Sequence, residues 1–468
     1  LCHATFAAIG AVTFSQFTTQ MGLPWVVALV LSIAVTVPVG ALVAFPAIRL
    51  SGIYLALATL GFGFLVQRLI FPQTWMFATI AGSRPVKKPS GFETPTKFYF
   101  LLLIVLAIVS VIIAVITQSR LGRILRGMGE APTAVSTLGL STNVTKLIVF
   151  CISAGIAAVA GVMYGSALTN VDSTTGPFQT FNSLVLIAIL ALAPFREPWY
   201  AIFAGVTAVI PGFISGDTVP YWINGFFGLF AILVAMQGGH PAMADSLRAR
   251  LDRLGRKRTA VVPPHEPRPR VEAGAGLVVE HINVAFGGLK AVDDLSLEAP
   301  IGRITGLIGP NGAGKTTTFN VISGINRNHA GSISYAGRDI SGVAMAGRGR
   351  LGIGRTFQRM DLADALSVSE NVALGVESGQ AGRHVLRQVI STPSERKRCL
   401  TATQDAMELC GIAHLAESQA GSLSTGERRL VELARCLAGN FDVLLLDEPS
   451  SGLDRTETCL LYTSPSPR

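Results

Sequence analysis

The sequence predicts an α-helical membrane-spanning domain followed by an α/β domain of the phosphate-loop type. Three observations predict it. Up to Asp245 the chain holds only six acidic residues, Glu93, Glu130, Asp172, Glu197, Asp217 and Asp245, among long apolar runs. Residues Gly309 to Thr316 read Gly-Pro-Asn-Gly-Ala-Gly-Lys-Thr, and Val443 to Glu448 is four apolar residues running into Asp-Glu. At 468 residues the chain is too long for one ordinary globular domain.

A helix needs about 20 apolar residues to cross a bilayer. Candidate spans are Leu1–Phe17, Trp25–Ala47, Ile53–Phe71, Phe98–Thr117, Leu147–Leu168, the short Leu184–Ala193, Trp199–Ile214 and Tyr221–Met236, giving eight crossings or fewer. Gly61 and Gly63 are expected to let a neighbouring helix approach closely, the usual role of small residues in bilayers. Arg68, near the end of its span, is expected to snorkel to the interface.

The net charge of +9 comes largely from one stretch after the last span: Arg248, Arg250, Arg253, Arg256, Lys257, Arg258, Arg268 and Arg270. A basic run in that place follows the positive-inside bias and attraction to anionic lipid, and argues against a nucleic-acid partner. It puts residues 118–146, with Arg120, Arg123, Arg126 and Lys146, on the same cytoplasmic side. The basic segment 72–97 would then lie outside, against the bias. The six cysteines form no Cys-x-x-Cys pair, and reduced thiols are expected rather than disulfides or metal.

Within 118–146, Leu121, Ile124, Leu125 and Met128 recur at helical spacing, interrupted by the three arginines, and Pro132 ends the pattern. Ala134, Leu138 and Gly139 make a second short element. Periodicity leaves two readings open, a solvated loop and a short amphipathic helix that docks on a motor domain.

Pro263, Pro264, Pro267 and Pro269, then Gly274-Ala275-Gly276, form a linker without hydrophobic period. Beyond it, Val278–Glu280 and the stretch through Val284 and Phe286 read as strands, and Ile304–Ile308 as a buried strand entering the glycine loop. In that loop Gly309, Pro310, Asn311, Gly312, Ala313, Gly314, Lys315, Thr316 and Thr317 suit a nucleotide's phosphates. Glycines let backbone N–H groups turn inward and the helix N-terminus adds its positive end. Lys315 is expected on the terminal phosphates and Thr316 on Mg2+. Asp447 is expected to hold the same ion and Glu448 to polarise the attacking water, the pair being costly to bury without a cation.

Leu423-Ser-Thr-Gly-Glu427 before a helix resembles the signature of the ABC transporter family. Ser424, Thr425, Gly426 and Glu427 would then face a γ-phosphate held by another subunit. Gln358, in Arg355-Thr-Phe-Gln358, matches the glutamine that in the family touches magnesium and senses the permease. With Phe319-Asn-Val-Ile-Ser-Gly324, Glu370-Asn-Val372 and Leu423–Arg429, the second half is similar to the ATPase subunits of branched-chain amino-acid ABC importers. The resemblance implies that Phe286 stacks on adenine and that Ser451, Gly452, Leu453 and Asp454 couple two ATPases. The first half resembles the permease of the same system in Ser51–Gly63 and in Ser119-Arg-Leu-Gly-Arg123, which favours a docking helix over Arg120–Gly139. It departs from many relatives in lacking an acidic residue near Phe64 and a glycine-rich stretch at Pro194–Pro198.

The implied protein is a fused permease and ATP-binding subunit that uses ATP and Mg2+ to take up branched-chain or related amino acids. Its expected setting is the cell (inner) membrane with the ATPase in the cytoplasm. Its expected partners are the lipid bilayer, a second permease subunit, a second ABC ATPase subunit and an extracytoplasmic solute-binding protein. The expected organisation is a permease over 1–245, a linker over 246–276 and an ATPase over 277–458, with an adapter-like tail over 459–468. No switch histidine precedes that tail, so little hydrolysis is expected of the chain alone. Two alternatives are an exporter half-transporter, whose cytoplasmic helices would be far longer, and two neighbouring subunits joined by a sequence error.

Overall fold

A computed structural model describes residues 2–50, 52–77, 83–172, 178–192, 229, 276–327, 330–358, 360–382 and 384–449. The chain divides into two compact units, Leu1–Ala114 with Lys146–Thr259, and Val115–Thr145 with Ala260–Arg468. Contacts thus group the segment between two spans with the nucleotide-binding half.

The first unit is helical: α1 (His3–Thr19), α2 (Trp25–Ala47), α3 (Gly52–Leu65) running into a π-helical turn (Val66–Ile70), α4 (Pro95–Gln118), α7 (Thr142–Leu168) and α8 (Thr180–Leu192). Among the described residues, four helices are long and apolar enough to cross a membrane: α2, Gly52–Ile70, α4 and α7. Two of their hydroxyls are satisfied within the helix, Thr36 donating to Ser32 O at 2.8 Å and Thr59 to Leu55 O at 3.0 Å, as an apolar solvent demands. The expected spans over Trp199–Ile214 and Tyr221–Met236 lie outside the described residues, Leu229 excepted.

Helix α1 packs against α2, α7 and α8 through small residues. A Cβ on Gly10 would sit 2.6 Å from Ala158 Cα, so the α1–α7 crossing requires glycine there. Gly63 behaves as expected, its Cβ position lying 2.5 Å from Thr180 Cγ2, while a Cβ on Gly61 would meet nothing within 4 Å among the described residues. The basic segment between α3 and α4 is partly explained by local structure. Strand β1 (Ser83–Pro85) pairs antiparallel with β2 (Asn170–Asp172), and the buried Arg84 guanidinium serves the carbonyls of Met76 and Thr74. Lys88 lies 5.2 Å from the centroid of the Phe98 ring, a cation–π contact.

The second unit opens with the antiparallel hairpin β3 (Leu277–Phe286) and β4 (Leu289–Ala299), turned by Gly287 and Gly288 at φ +52° and +93°. The two strands expected over Val278–Phe286 are one bulged strand, with His281 at φ +51° at the bulge. Strands β5 (Ala330–Tyr335) and β6 (Arg338–Asp339) complete the order β4-β3-β5-β6, and β7 (Ile353–Arg355) pairs parallel with β8 (Val443–Leu445). Helix α9 (Lys315–Ile322) packs Val321 and Ile322 with Ile282, Ile333, Ile353 and Leu445 into one core.

A helical portion follows α10 (Met345–Arg350). It comprises α11 (Val368–Ala381), α12 (Val385–Val389), α13 (Pro393–Leu409) and α14 (Thr425–Ala438). Val368, Val372, Met407, Leu430 and Val431 form a second core between α11, α13 and α14. Capping boxes start α11, α13 and α14, at Ser367–Glu370, Thr392–Glu395 and Ser424–Glu427.

The buried strand expected over Ile304–Ile308 is not formed. Residues 304–308 adopt no regular structure and Ile304 and Ile308 are 92% and 93% exposed. Among the described residues no strand lies alongside them. Apolar β-branched composition makes a strand only when a neighbour takes the backbone N–H and C=O groups.

Candidate active site

The glycine loop delivers Lys315 to the first position of α9. Gly314 caps that helix at φ +85°, and a Cβ there would run into Ala291 O, so both conformation and space call for glycine. Lys315 Nζ donates to the carbonyls of Gly309 and Pro310 at 2.7 and 2.9 Å, folding the ammonium back over the loop. Thr316 and residues 309–313 are exposed. Phe286 is 54% exposed at the tip of the first hairpin, which leaves its ring free of the core.

Strand β8 carries the chain into Asp447, which is buried, and Glu448, which is exposed at φ +48°. Among the described residues neither bonds to Lys315 or Thr316. Asp447 instead meets Arg355, whose Nη2 is 3.4 Å from Oδ2. The same guanidinium donates to Asn320 Oδ1 at 2.7 Å and Ser323 Oγ at 3.0 Å, tying α9 to the end of β8. Burial lowers the pKa of Arg355, and the Asp447 charge opposes that shift. Sequence reasoning missed Arg355 in this role, although it stands three residues before Gln358. Gln358 Nε2 reaches Glu448 Oε2 at 3.5 Å, so two residues 90 apart in the chain face one another.

With Oδ2 engaged by Arg355, Asp447 keeps its other carboxylate oxygen, and the Thr316 hydroxyl makes no hydrogen bond among the described residues. Oxygen donors of this kind fit a hard divalent cation.

Ser424 opens α14. Its hydroxyl donates to Glu427 Oε2 at 2.8 Å and accepts from Glu427 N–H, while the carboxylate also takes Ser424 N–H at 2.8 Å. These bonds hold the Glu427 carboxyl below its ordinary value of 4.5, the Ser424 backbone N–H being the main cause. Thr425 is exposed and Gly426 buried. Ser451, Gly452, Leu453 and Asp454 lie outside the described residues.

Three charges on one face of α14, unremarked in the sequence, hold the segment around Gln358. Arg429 donates to the carbonyls of Phe357 and Gln358 at 2.6 and 3.1 Å, and Glu432 accepts from Phe357 N–H at 2.8 Å. Arg435 donates to Asp361 O at 2.8 Å. All three side chains are buried, and Glu432 lies 3.0 Å from Arg429 and 3.9 Å from Arg435. Burial nonetheless raises the Glu432 pKa above its ordinary value. The spacing 429, 432, 435 was the signal available: charges at every third residue along a helix lie near one face, here among Leu430, Val431, Leu433 and Ala434.

Asp361 also accepts the Ala134 N–H at 3.1 Å. Ala134 belongs to α6 (Pro132–Thr137), which follows α5 (Arg120–Glu130). Both helices dock on the nucleotide-binding half. Leu121 and Ile124 are fully buried, Gly127 leaves room for Leu374, and Val135, Leu138 and Leu140 pack with Ala363, Leu366 and Ala381. The three arginines, expected only to interrupt the apolar face, make a ladder across the contact. Arg120 pairs with Glu395 at 3.3 Å, Arg123 with Glu377 through two N–H groups, and Arg126 with Glu370 at 3.2 Å.

Two family models match. One described as ABC transporter covers residues 292–451, and one described as branched-chain amino acid transport system/permease component covers residues 1–236. Among curated relatives, the high-affinity branched-chain amino acid transport ATP-binding protein LivG of Salmonella typhimurium is 37% identical over 185 residues, 39% of this chain and 72% of LivG. The lipopolysaccharide export system ATP-binding protein LptB of Escherichia coli K12 is 39% identical over 180 residues, 38% of this chain and 70% of LptB. A solved nucleotide-free ATP-binding cassette from an ABC transporter is 31% identical with a TM-score of 0.35, covering 40% of this chain and 74% of its own.

Proposed function

The chain belongs to the ABC transporter family, a permease of the branched-chain amino-acid type joined to its ATP-hydrolysing domain, and from that premise we propose that it drives uptake of branched-chain or related amino acids. The observation that carries the reading is the permease half, matched over residues 1–236, on the same chain as the ATPase. The ATPase half alone does not choose a cargo, since its relatives include one from an export system. The cytoplasmic segment supports import, because α5 and α6 together span only Arg120–Thr137, whereas exporter helices would extend far from the membrane.

In this account the glycine-loop N–H groups and Lys315 take the phosphates of ATP, with Nζ leaving the carbonyls of Gly309 and Pro310. Phe286 offers its exposed ring to the base. Thr316, Gln358 and Asp447 would hold Mg2+, which supplies charge neutralisation at the transferred phosphoryl group. Glu448 takes a proton from water, and Gln358 beside it sets the position of that carboxylate. The signature residues Ser424–Glu427 serve the ATP of a second ATPase subunit, and Ser451–Asp454 couple the two. A second permease and an extracytoplasmic solute-binding protein complete the assembly, in a cytoplasmic membrane with the ATPase facing the cytoplasm. Permease, linker and ATPase are assigned to 1–245, 246–276 and 277–458.

Movement passes through the α14 charge cluster. A shift of Gln358 displaces the backbone that Arg429 and Glu432 grip, and Asp361 carries it to α6. Radiolabelled leucine should accumulate in vesicles bearing the assembled transporter only when ATP and the external solute-binding protein are both supplied. Accumulation that ignores the external receptor would refute the import reading while leaving the ATPase intact.

A further inference from the structure

Helix α12 turns its apolar side chains outward. Leu386 is 73% and Ile390, just past its end, 63% exposed, with Val385 at 47% and Val389 at 38%. Residues 385, 386, 389 and 390 form two adjacent i,i+4 pairs and share one face. Gln388 points the other way and is fully buried, donating to Gly382 O at 3.0 Å and accepting from the Thr145 hydroxyl at 2.9 Å.

Two bonds tell where this face lies. Arg120 donates to Arg387 O at 3.0 Å, and it stands two residues beyond Gln118, the last residue of the membrane-length helix α4. Thr145 is in the first turn of the membrane-length helix α7, which starts at Thr142. The apolar face therefore belongs to a helix tied to residues that adjoin the ends of two membrane-length helices, Gln118 of α4 and Thr142 of α7. A cavity of about 490 Å³ adjoins α12, lined by Arg338, Arg350, His384 and Arg387, with no acidic side chain among its lining residues. Arg396, Lys397 and Arg398 follow, all exposed. An apolar face flanked by guanidinium groups, on a helix bonded beside the ends of two membrane-length helices, matches a bilayer surface in both chemistry and charge.

We propose that α12 is a membrane contact, in which Leu386 and Ile390 enter the headgroup–acyl boundary and Arg338 and Arg387 receive the phosphate of an anionic phospholipid. The contact holds α12 on anionic lipid. It depends on the membrane and not on the cargo or the direction of transport.

The test places a nitroxide at Leu386→Cys or Ile390→Cys in the full chain, with the unsubstituted protein as background and Leu409→Cys, on the exposed surface of α13, as reference. The protein is reconstituted in phosphatidylglycerol–phosphatidylcholine vesicles, and collision with molecular oxygen is compared with collision with a water-soluble nickel chelate. The oxygen-to-chelate ratio at 386 and 390 should exceed that at 409 by roughly three-fold or more. It should fall in pure phosphatidylcholine, and Arg387→Gln should remove that lipid dependence. Ready access of the chelate would show the face in water, and exclusion of both reagents would show it covered by a protein subunit. Either result overturns the proposal.

Discussion

Lys315 spends its ammonium on two loop carbonyls, bonds that phosphate oxygens can replace with a stronger charge-assisted pair. Lys315→Ala should therefore abolish measurable ATP binding in a fluorescent-nucleotide titration, and unchanged affinity would remove Lys315 from the site. Glu427 gives a pH signature. Its carboxyl is held below 4.5 in the fold, so the bonds it makes to Ser424 stabilise the start of α14 above that pH and are lost as pH falls through the depressed value. The melting-temperature gap between wild type and Glu427→Ala should be open at pH 7 and close below pH 4.5; a gap that persists in acid would contradict the assignment. Arg355 shows what local pattern could not supply. Gly309–Thr316 and Asp447-Glu448 were legible because phosphate and cation chemistry dictates adjacent residues, whereas the Arg355–Asp447 pair joins residues 92 apart and exists only through the β7–β8 register.

Among elements, α2 occupies Trp25–Ala47, the span read from hydropathy, because a run of apolar residues in lipid has no folded alternative to a helix. Helix α5 was legible as amphipathic, but the partners of its arginines were not, since Glu370, Glu377 and Glu395 sit on α11 and α13. Ile304–Ile308 failed for the converse reason: strand-forming composition needs a neighbour, and none is at hand among the described residues. Of Gly61 and Gly63, only Gly63 meets a neighbour among the described residues, because the glycine pattern does not say which side of a helix faces a partner within the chain. The ladder can be tested by exchange. Arg123→Glu places two carboxylates together at a contact where Glu377 is almost buried and should lower solute uptake by about ten-fold or more while leaving ATP binding intact. Arg123→Glu with Glu377→Arg should recover much of it, and a double variant no better than the single would show that the pair does not couple the halves.

At the scale of the whole molecule, one polypeptide carries four membrane-length helices among its described residues and an ATP-hydrolysing domain, with α5 and α6, which follow α4 and precede α7 in the chain, packed on that domain. Composition made this division readable, because six acidic residues in the first 245 and a phosphate loop at 309 suit different solvents. It also left the inter-span segment ambiguous, since its apolar face is too narrow to say what covers it. The account requires that ATP cleavage and solute movement be one process. The most direct measurement is ATP-dependent accumulation of radiolabelled leucine in vesicles holding wild type or Glu448→Gln, with bound ATP measured in both. The account predicts that the variant binds ATP as wild type does, hydrolyses it at least about a hundred-fold more slowly and accumulates no leucine. Equal accumulation by the two would contradict it.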